Sequence, residues 1–201
     1  MKLSARVIQP LGVLLVLLAC AAGVGHAADP SQPVVLVATA RLADSGFHET
    51  VLVVAPLPTG GHFGFIINRP TAVKLETAFP EHAPSHKVVD PLYLGGPILA
   101  ETVFAVARRA PDGGNMIPLM PGLVAVFDGK TVFHIIDTTP NDARYFAGMM
   151  IWTPGELDEQ IRAGAWIVRP AHIETVFHAN PSGLWKELSR GAAQVLVLDA
   201  I

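Results

Sequence analysis

Length, composition and charge exclude several classes of protein. The chain has 201 residues, of which 51% are apolar and 15% are charged, so disorder is excluded and one domain with a sizeable core is expected. The formal net charge is −3 and Lys and Arg form no run, so a protein that binds nucleic acid through its phosphates is not expected.

Residues 1–27 have the pattern of an export signal. Lys2 and Arg6 supply a positive start, Leu11–Ala22 is apolar, and Gly25–Ala27 places small residues at a cleavage site. The apolar stretch is shorter than the roughly 20 residues that span a bilayer, which favours a cleaved signal over a membrane anchor. We therefore expect an exported mature protein, either periplasmic or secreted.

A second candidate cleavage site lies in the same segment. Leu17–Cys20 resembles a lipobox, in which the cysteine is lipidated and becomes the new N-terminus, so the protein would be lipid-anchored in the cell envelope. Cleavage after Ala27 would instead leave a mature protein that has no cysteine and no lipid anchor. The sequence leaves both sites open. Because Cys20 is the only cysteine, no disulfide framework is expected.

The first part of the domain alternates strands with turns. Residues 28–33 are polar and proline-rich, which indicates a linker to a single domain at 34–201. Thr50–Ala55 is almost continuously apolar, as in a strand buried on both faces, and the turn at Pro56–Gly61 should form an antiparallel hairpin with the next strand. The predicted elements are strands Val34–Ala38, Thr50–Ala55, Phe63–Ile67, Leu92–Leu94 and Thr102–Arg108, and a short helix at Ala72–Phe79.

The second part contains the strongest hairpin signal. Asp128–Gly129 lies between the apolar runs Leu123–Phe127 and Thr131–Ile136, as in a two-residue type I′ turn. Thr153–Glu156 (Thr-Pro-Gly-Glu) is typical of a capping box with Thr153 as the N-cap and proline at the first helical position. The other predicted elements are helices from an N-cap at Asn141 or Thr139 to about Ala147, from the capping box to Gly164, at Ala171–His178 and at Leu184–Ser189, and strands at Met149–Trp152, Ala165–Val168 and Val195–Leu198.

This succession of elements indicates the fold class. Hairpins dominate the first part of the domain and helices the second, and no internal repeat is visible. The pattern predicts an α+β fold in one domain, with a mainly antiparallel sheet flanked by short helices.

Four stretches of the chain together resemble the YqgE/AlgH family. They have the family's order and approximate spacing between about Val34 and Trp185. The resemblance implies a flattened, barrel-like antiparallel sheet flanked by helices. It implies no reaction, because the family has no established catalytic site and its link with transcriptional regulation is loose. The stretches are Gly64–Pro70 (Gly-Phe-Ile-Ile-Asn-Arg-Pro), Leu94–Pro97 (Leu-Gly-Gly-Pro), Trp152 with Pro154–Ile161, and Ala165–Ile167 (Ala-Trp-Ile).

The chain departs from this family in three respects. The family usually has Gly-Tyr-Ala-Gly-Trp before its Pro-Gly-Gln-Leu-Glu helix, whereas Gly148–Trp152 lacks the Tyr and the second Gly. Glu156 replaces the usual Gln. Members of the family are usually cytoplasmic, and an exported member would not regulate transcription by touching DNA, so that role is disfavoured.

Asn68 and Arg69 are the first candidate binding residues. Arginine offers a planar fork of donors to a carboxylate or phosphate, asparagine both donates and accepts, and Pro70 restricts the turn that follows. The competing interpretation is structural. In that case Asn68 caps the turn and Arg69 pairs with a nearby acid.

Gly95 and Gly96 are the second candidate binding residues. Two glycines allow backbone amides to approach an anion closely. The Lys and the Ser or Thr of a phosphate-binding loop do not follow them, so a tight structural turn is the favoured interpretation.

Trp152 and Glu156 complete the set of candidate binding residues. Trp152 could be a ligand platform, although core packing is favoured. Glu156 and Glu159 lie three residues apart and could share a proton or a cation, but acids are favoured at a helix start in any case. His82 and His86 have a proline between them, which argues against a shared helical face. No metal and no cofactor are therefore expected.

The expected function is that of a non-enzymatic binding or envelope-associated module for an unknown protein or small ligand. The sequence contains no Gly-x-Ser-x-Gly motif, and no catalytic residue is assigned. An alternative is a hydrolase of unrecognised class that uses a groove between Asn68–Pro70 and Gly95–Gly96. A nucleic-acid partner is not expected, and contact with a membrane is expected only if Cys20 is lipidated.

Overall fold

The computed structural model describes residues 29–109 and 112–190. They contain nine strands, four helices labelled α1 to α4, and a further α-helical segment at residues 184–190 that agrees with the helix predicted at Leu184–Ser189. The strands are β1 (Val34–Ala38), β2 (Val51–Pro56), β3 (His62–Ile66), β4 (Tyr93–Leu94), β5 (Ile98–Ala107), β6 (Met116–Met120), β7 (Leu123–Val126), β8 (Ala143–Trp152) and β9 (Trp166–Pro170). The helices are α1 (Leu75–Ala78), α2 (Gly129–Thr138), α3 (Glu156–Arg162) and α4 (Ile173–Val176).

The strands form one curled antiparallel sheet with the shape of a half-barrel. Its order is β6-β7-β5-β8-β3-β2-β1-β9, every neighbouring pair in this order is antiparallel, and the short β4 adds to β8 in parallel. The predicted α+β fold with a mainly antiparallel, flattened barrel-like sheet and short helices is therefore confirmed.

Both faces of the sheet are packed. Along β2, Val51, Val53 and Ala55 face the interior of the half-barrel, whereas Leu52 and Val54 face a second cluster that α3 covers. All five residues are at most 1% exposed, so the prediction of a strand buried on both faces is confirmed. A third cluster lies under α2.

The hairpin predicted around Asp128–Gly129 is wrong. Asp128 is the N-cap of α2, where its Oδ1 accepts a hydrogen bond of 2.9 Å from the backbone N–H of Thr131. This bond holds the pKa of Asp128 below its usual value. The buried residues Val132, Ile135 and Ile136 have helical spacing, so the segment read as a strand packs as an amphipathic helix.

The strand that pairs with β7 comes before it in the chain. This strand is β6, for which the sequence predicts no element, and it pairs with β7 around a turn at Gly122 (φ 82°). Pro118 lies within β6 and cannot donate to a ladder, which conceals the strand in the sequence. Because β6 is at the edge of the sheet, a proline is tolerated there.

The helix predicted from Asn141 to Ala147 is also wrong. These residues run into β8, in which Tyr145 pairs with Ala105 of β5. The side chain of Asn141 does not cap a helix, since its Oδ1 accepts a hydrogen bond of 2.9 Å from the backbone N–H of Val89. The strand predicted at Met149–Trp152 is the second half of β8.

Several other predictions are confirmed with shifted bounds. Helices α1 and α4 are shorter than predicted, and β9 begins one residue later than predicted. No helix in the described ranges is long and apolar enough to cross a membrane. The predicted signal peptide, Cys20 and the predicted strand Val195–Leu198 lie outside the described residues.

Candidate functional site

Asn68 follows β3 and holds the start of β2. Its buried side chain accepts a hydrogen bond from the backbone N–H of Val51 (2.8 Å) and donates one to the carbonyl oxygen of Glu49 (2.8 Å). Glu49 has a φ of 52°, a left-handed conformation that costs a non-glycine residue about 1–3 kcal/mol. The amide of Asn68 therefore stabilises a strained turn.

Arg69 is half-buried beside the same turn. Its Nη2 donates to the carbonyl oxygen of His48 (3.1 Å) and to Oγ1 of Thr50 (2.7 Å). Among the described residues no carboxylate forms an ion pair with it, so the acid that the structural interpretation paired with Arg69 is not found there. Burial lowers the pKa of Arg69, yet a guanidinium stays protonated. Arg69 is thus a cation whose described partners are neutral.

Gly95 and Gly96 lie where two strands approach closely. The N–H of Gly95 donates to the carbonyl oxygen of Ala147 (2.8 Å), and its own carbonyl accepts from the N–H of Ile66 (2.9 Å). A Cβ at Gly95 would overlap the carbonyl oxygen of Gly148, and one at Gly96 would overlap the next carbonyl of β8. Backbone packing therefore explains both glycines, and the Gly95 amide is already bonded within the protein.

Backbone hydrogen bonds join the Asn-Arg-Pro corner to the Gly-Gly-Pro turn. The N–H of Leu94 donates to the carbonyl oxygen of Arg69 (2.9 Å), beside the bond between Ile66 and Gly95. Arg69 and Gly96 are thereby brought to one cavity of about 240 Å³, which we call the corner pocket. Its lining residues are Gly46, Phe47, Ile66, Arg69, Leu94, Gly96, Pro97 and Ala100.

The corner pocket is apolar apart from one charge. Arg69 is the only charged residue that lines it, and the other lining residues are aliphatic, aromatic, proline or glycine. None of them is a nucleophile, a carboxylate or an imidazole. The pocket therefore offers apolar contact and one cation, and it offers no acid–base pair of its own.

The rim of the corner pocket is a bulge in β5. The register between β5 and β8 shifts between Ile98 and Val103, so the intervening residues project from the sheet. Ile98 is 42% exposed and Leu99 is 57% exposed, and Leu99 has a φ of 51°. Strained backbone and exposed aliphatic side chains beside a cavity are typical of binding sites.

Trp152 lies at the other end of β3. It pairs with His62, whereas the corner pocket follows the last residue of the strand. Trp152 is 2% exposed and its Nε1 donates to Oε1 of Gln160 (3.1 Å), to which Trp166 also donates (2.9 Å). The two indoles hold α3 through one glutamine, and Trp152 does not line the corner pocket.

Glu156 is exposed at the start of α3 and is also separate from the corner pocket. Its Oε2 accepts hydrogen bonds of 3.0 Å from both the backbone N–H and the hydroxyl of Thr153. The N-cap of α3 is Gly155 (φ 84°), and α3 begins at Glu156. The predictions of Thr153 as the N-cap of a capping box and of Pro154 at the first helical position are therefore wrong.

A serine, a histidine and an aspartate lie in line outside the pocket. His82 Nδ1 is 3.0 Å from Ser85 Oγ, and His82 Nε2 is 3.2 Å from Asp137 Oδ1. Ser85 is 1% exposed and lies on the same turn as His82, so its hydroxyl is closed to a substrate. The three residues join this turn to α2, and the arrangement is structural.

Metal-ligating side chains do not gather in the part of the chain that the structure describes. Within residues 29–109 and 112–190, no group of three or more His, Cys, Asp or Glu side chains is placed to hold an ion.

The structure brings together two of the six candidate binding residues in one cavity. Arg69 and Gly96 line the corner pocket. Asn68 and Gly95 do not line it, but their hydrogen bonds hold the adjoining backbone in place. Trp152 and Glu156 lie elsewhere. Phe47 and Leu94 also line the pocket and are not among the residues predicted from the sequence. An aromatic residue in a loop and a leucine just before Gly-Gly are the signals that point to them.

Comparison with known proteins agrees with the resemblance seen in the motifs. The family model described as DUF179, AlgH-like, matches residues 35–194. A UPF0301 protein of Thermobifida fusca is 34% identical over 168 residues, which cover 77% of this chain and 83% of that protein. A UPF0301 protein of Chlorobium phaeobacteroides is 29% identical over 170 residues, which cover 82% of this chain and 89% of that protein.

Solved structures have the same fold. The solution structure of the AlgH protein from Pseudomonas aeruginosa matches with a TM-score of 0.66 and 23% identity, over 84% of this chain and 91% of that one. A crystal structure from Corynebacterium diphtheriae matches with a TM-score of 0.65 and 27% identity, over 81% of this chain and 87% of that one. With the motifs, the fold and the family model in agreement, the chain belongs to the AlgH-like family.

Proposed function

We propose that this domain is a non-enzymatic binding module and that the corner pocket is its recognition site. The observation that carries the proposal is the chemistry of the pocket, where apolar walls surround one arginine whose described partners are neutral. Such a cavity has the features of a small-ligand site, in which apolar contact supplies affinity and a single polar group supplies orientation.

The surroundings of the pocket support binding over catalysis. The strained turn at Glu49 and the strained rim at Leu99 border the pocket on two sides, and Asn68 holds the first of them in place. A hydrolase would need a nucleophile with a base in hydrogen-bond reach, and the lining residues supply neither. No specific observation favours the hydrolase alternative.

The test of this function blocks the pocket without changing its charge. We expect Ala100→Phe to fill the cavity, because Ala100 lines it and is exposed. Nuclear magnetic resonance shifts should be recorded with a library of small neutral, anionic and cationic compounds. Compounds that bind should shift the signals of Ile66 and Gly96 in the wild type and lose at least about tenfold in affinity in the variant.

Ala163→Phe is the matched control, since Ala163 is exposed after α3 and does not line the pocket. It should leave binding unchanged. Shifts that gather elsewhere on the protein, or steady turnover of a panel of ester, phosphoester and peptide substrates by the wild type, would overturn the proposal.

We further propose that the protein is exported, and the pattern of residues 1–27 supports this proposal. The full chain expressed in a bacterium should lose its N-terminus, and the intact mass should correspond to a protein that begins at Ala28. A diacylglycerol-modified Cys20 would also place the protein in the envelope, and Cys20→Ser would then block processing. An unprocessed chain beginning at Met1 would remove the envelope from the proposal.

A further inference from the structure

Arg69 has donors that no residue in the described part of the chain uses. A guanidinium carries five N–H groups, and the two hydrogen bonds described for Arg69 both start at Nη2. Within the described residues neither Nε nor Nη1 has a partner. The side chain lines the corner pocket, so these donors are available at one end of an apolar cavity.

Two neutral acceptors hold the guanidinium of Arg69 in place. The carbonyl oxygen of His48 and Oγ1 of Thr50 take both Nη2 hydrogens and carry no charge. The guanidinium is therefore anchored without being neutralised. Because burial withdraws this cation partly from water, it attracts an anion more strongly than a fully solvated arginine does.

The other lining residues determine the chemistry of the rest of the ligand, beyond its anionic group. Phe47, Ile66 and Leu94 offer aromatic and aliphatic contact, and Pro97 and Ala100 add no polar side chain. The only other lining residues besides Arg69 are glycines, so Arg69 is the one lining residue whose side chain can hydrogen-bond to a ligand. A ligand that fits must be apolar away from its anionic end.

The volume of the cavity favours a short ligand. The cavity of about 240 Å³ lies below the range of roughly 300–1,000 Å³ found for pockets that hold drug-sized molecules. A short-chain carboxylate such as hexanoate therefore suits both the small volume and the single cation.

From these observations we infer that the corner pocket binds a short-chain aliphatic monocarboxylate, with the carboxylate on Nε and Nη1 of Arg69 and the chain against Phe47, Ile66 and Leu94. A carboxylate matches the planar donor fork of arginine with two parallel hydrogen bonds. This assignment rests on the proposed binding function and adds the chemical class of the ligand.

The test is a series of probes that differ in one property at a time. Hexanoate, 1-hexanol and hexylammonium share one chain and differ in charge, whereas acetate, hexanoate and dodecanoate share one charge and differ in length. Titration of the full chain is followed by nuclear magnetic resonance shifts at Ile66 and Gly96. Hexanoate should bind at least about tenfold more tightly than hexanol, acetate and dodecanoate, and hexylammonium should not bind.

Variants at Arg69 add a second measurement. Arg69→Lys keeps the charge without the fork and should weaken hexanoate binding severalfold, whereas Arg69→Gln removes the charge and should weaken it to the level of hexanol. Because Arg69 also holds the turn before β2, thermal unfolding of each variant is recorded beside the titration. The probe series on the wild type does not depend on either variant folding.

Each outcome separates the ligand class from the binding function. Equal binding of hexanol and hexanoate, or tighter binding of hexylammonium, would overturn the carboxylate and leave the pocket as a binding site. Equal binding of acetate and hexanoate would overturn the aliphatic chain. If no probe in the series shifts the pocket signals, the ligand class is wrong, and the binding function is then decided by Ala100→Phe with the compound library.

Discussion

Gly95→Ala is expected to destabilise the protein by at least about 3 kcal/mol. A Cβ on Gly95 would overlap the carbonyl oxygen of Gly148 and lie 2.9 Å from Cβ of Phe146. Gly95 is also bonded to β8 and β3 through its N–H and its carbonyl, so it cannot move away without breaking these bonds. The midpoint of thermal unfolding should fall by roughly 6–12 °C for a domain of this size.

Gly129→Ala is the matched control for this substitution. Gly129 is the first residue of α2, and a Cβ there would meet no atom within 4 Å. Because alanine has the higher helix propensity, its unfolding midpoint should be unchanged or higher. If Gly95→Ala unfolded at the same temperature as the wild type, the close approach of the Gly-Gly-Pro turn to β8 would be contradicted.

Arg144→Met is expected to lower the free energy of unfolding by about 3–4 kcal/mol. Arg144 lies on β8 and is 4% exposed, and its Nη1 and Nη2 donate to the carbonyl oxygens of Val176 (2.7 Å) and His178 (2.8 Å). Its Nε donates to Asp90 Oδ2 (2.9 Å). Methionine fills the space but leaves the buried carbonyl group of Val176 and the partly buried carbonyl group of His178 without donors, at about 1–3 kcal/mol each. Urea unfolding measures the loss.

Two further variants show which part of Arg144 matters. Arg144→Lys keeps the charge but not the planar fork, so most of the loss should remain. Asp90 is 42% exposed, and solvent screening limits Asp90→Asn to about 1 kcal/mol or less. Arg162→Met on the exposed face of α3 is the matched control and should stay within about 0.5 kcal/mol of the wild type. A loss in Asp90→Asn as large as that in Arg144→Met would show that the ion pair dominates.

Arg144 also shows why some of the structure could not be read from the sequence. The residue joins β8 to the end of α4 and the residues just after it, more than thirty positions away, and no local pattern marks that contact. The local sequence predicts a helix at Arg144. Because Tyr145 and Phe146 are buried at the centre of the sheet, their packing decides the strand, and that packing depends on β5 and β3.

Local sequence patterns predicted the structure correctly where the local preference and the tertiary contacts favour the same conformation. The continuous apolar runs of β1 and β2 and the turn between β2 and β3 led to correct strands and a correct hairpin. The hairpin predicted at Asp128–Gly129 was wrong because this dipeptide is favoured both in a type I′ turn and at the start of a helix. The side chain of Asp128 caps α2, and only burial against the sheet selects the helix.

The sequence identified the stretches of the candidate site, but only the structure showed which of them lie together. Asn68–Pro70 and Gly95–Pro97 could be picked from the sequence because their residue types restrict the backbone and offer donors. Whether the two stretches meet depended on the hydrogen bond from Leu94 to Arg69, which spans about 25 residues. Trp152 and Glu156 belong to the same family motifs, but they hold α3 at the other end of β3.

By itself the sequence determined the family, the α+β class and the antiparallel core of this protein, because motifs and apolar runs are local properties of the chain. Only the tertiary structure decided that residues 129–138 form a helix, that β6 exists and that Arg69 faces an apolar cavity. The physical reason is that these features come from contacts between distant segments. Burial and backbone pairing across the half-barrel override local preference there.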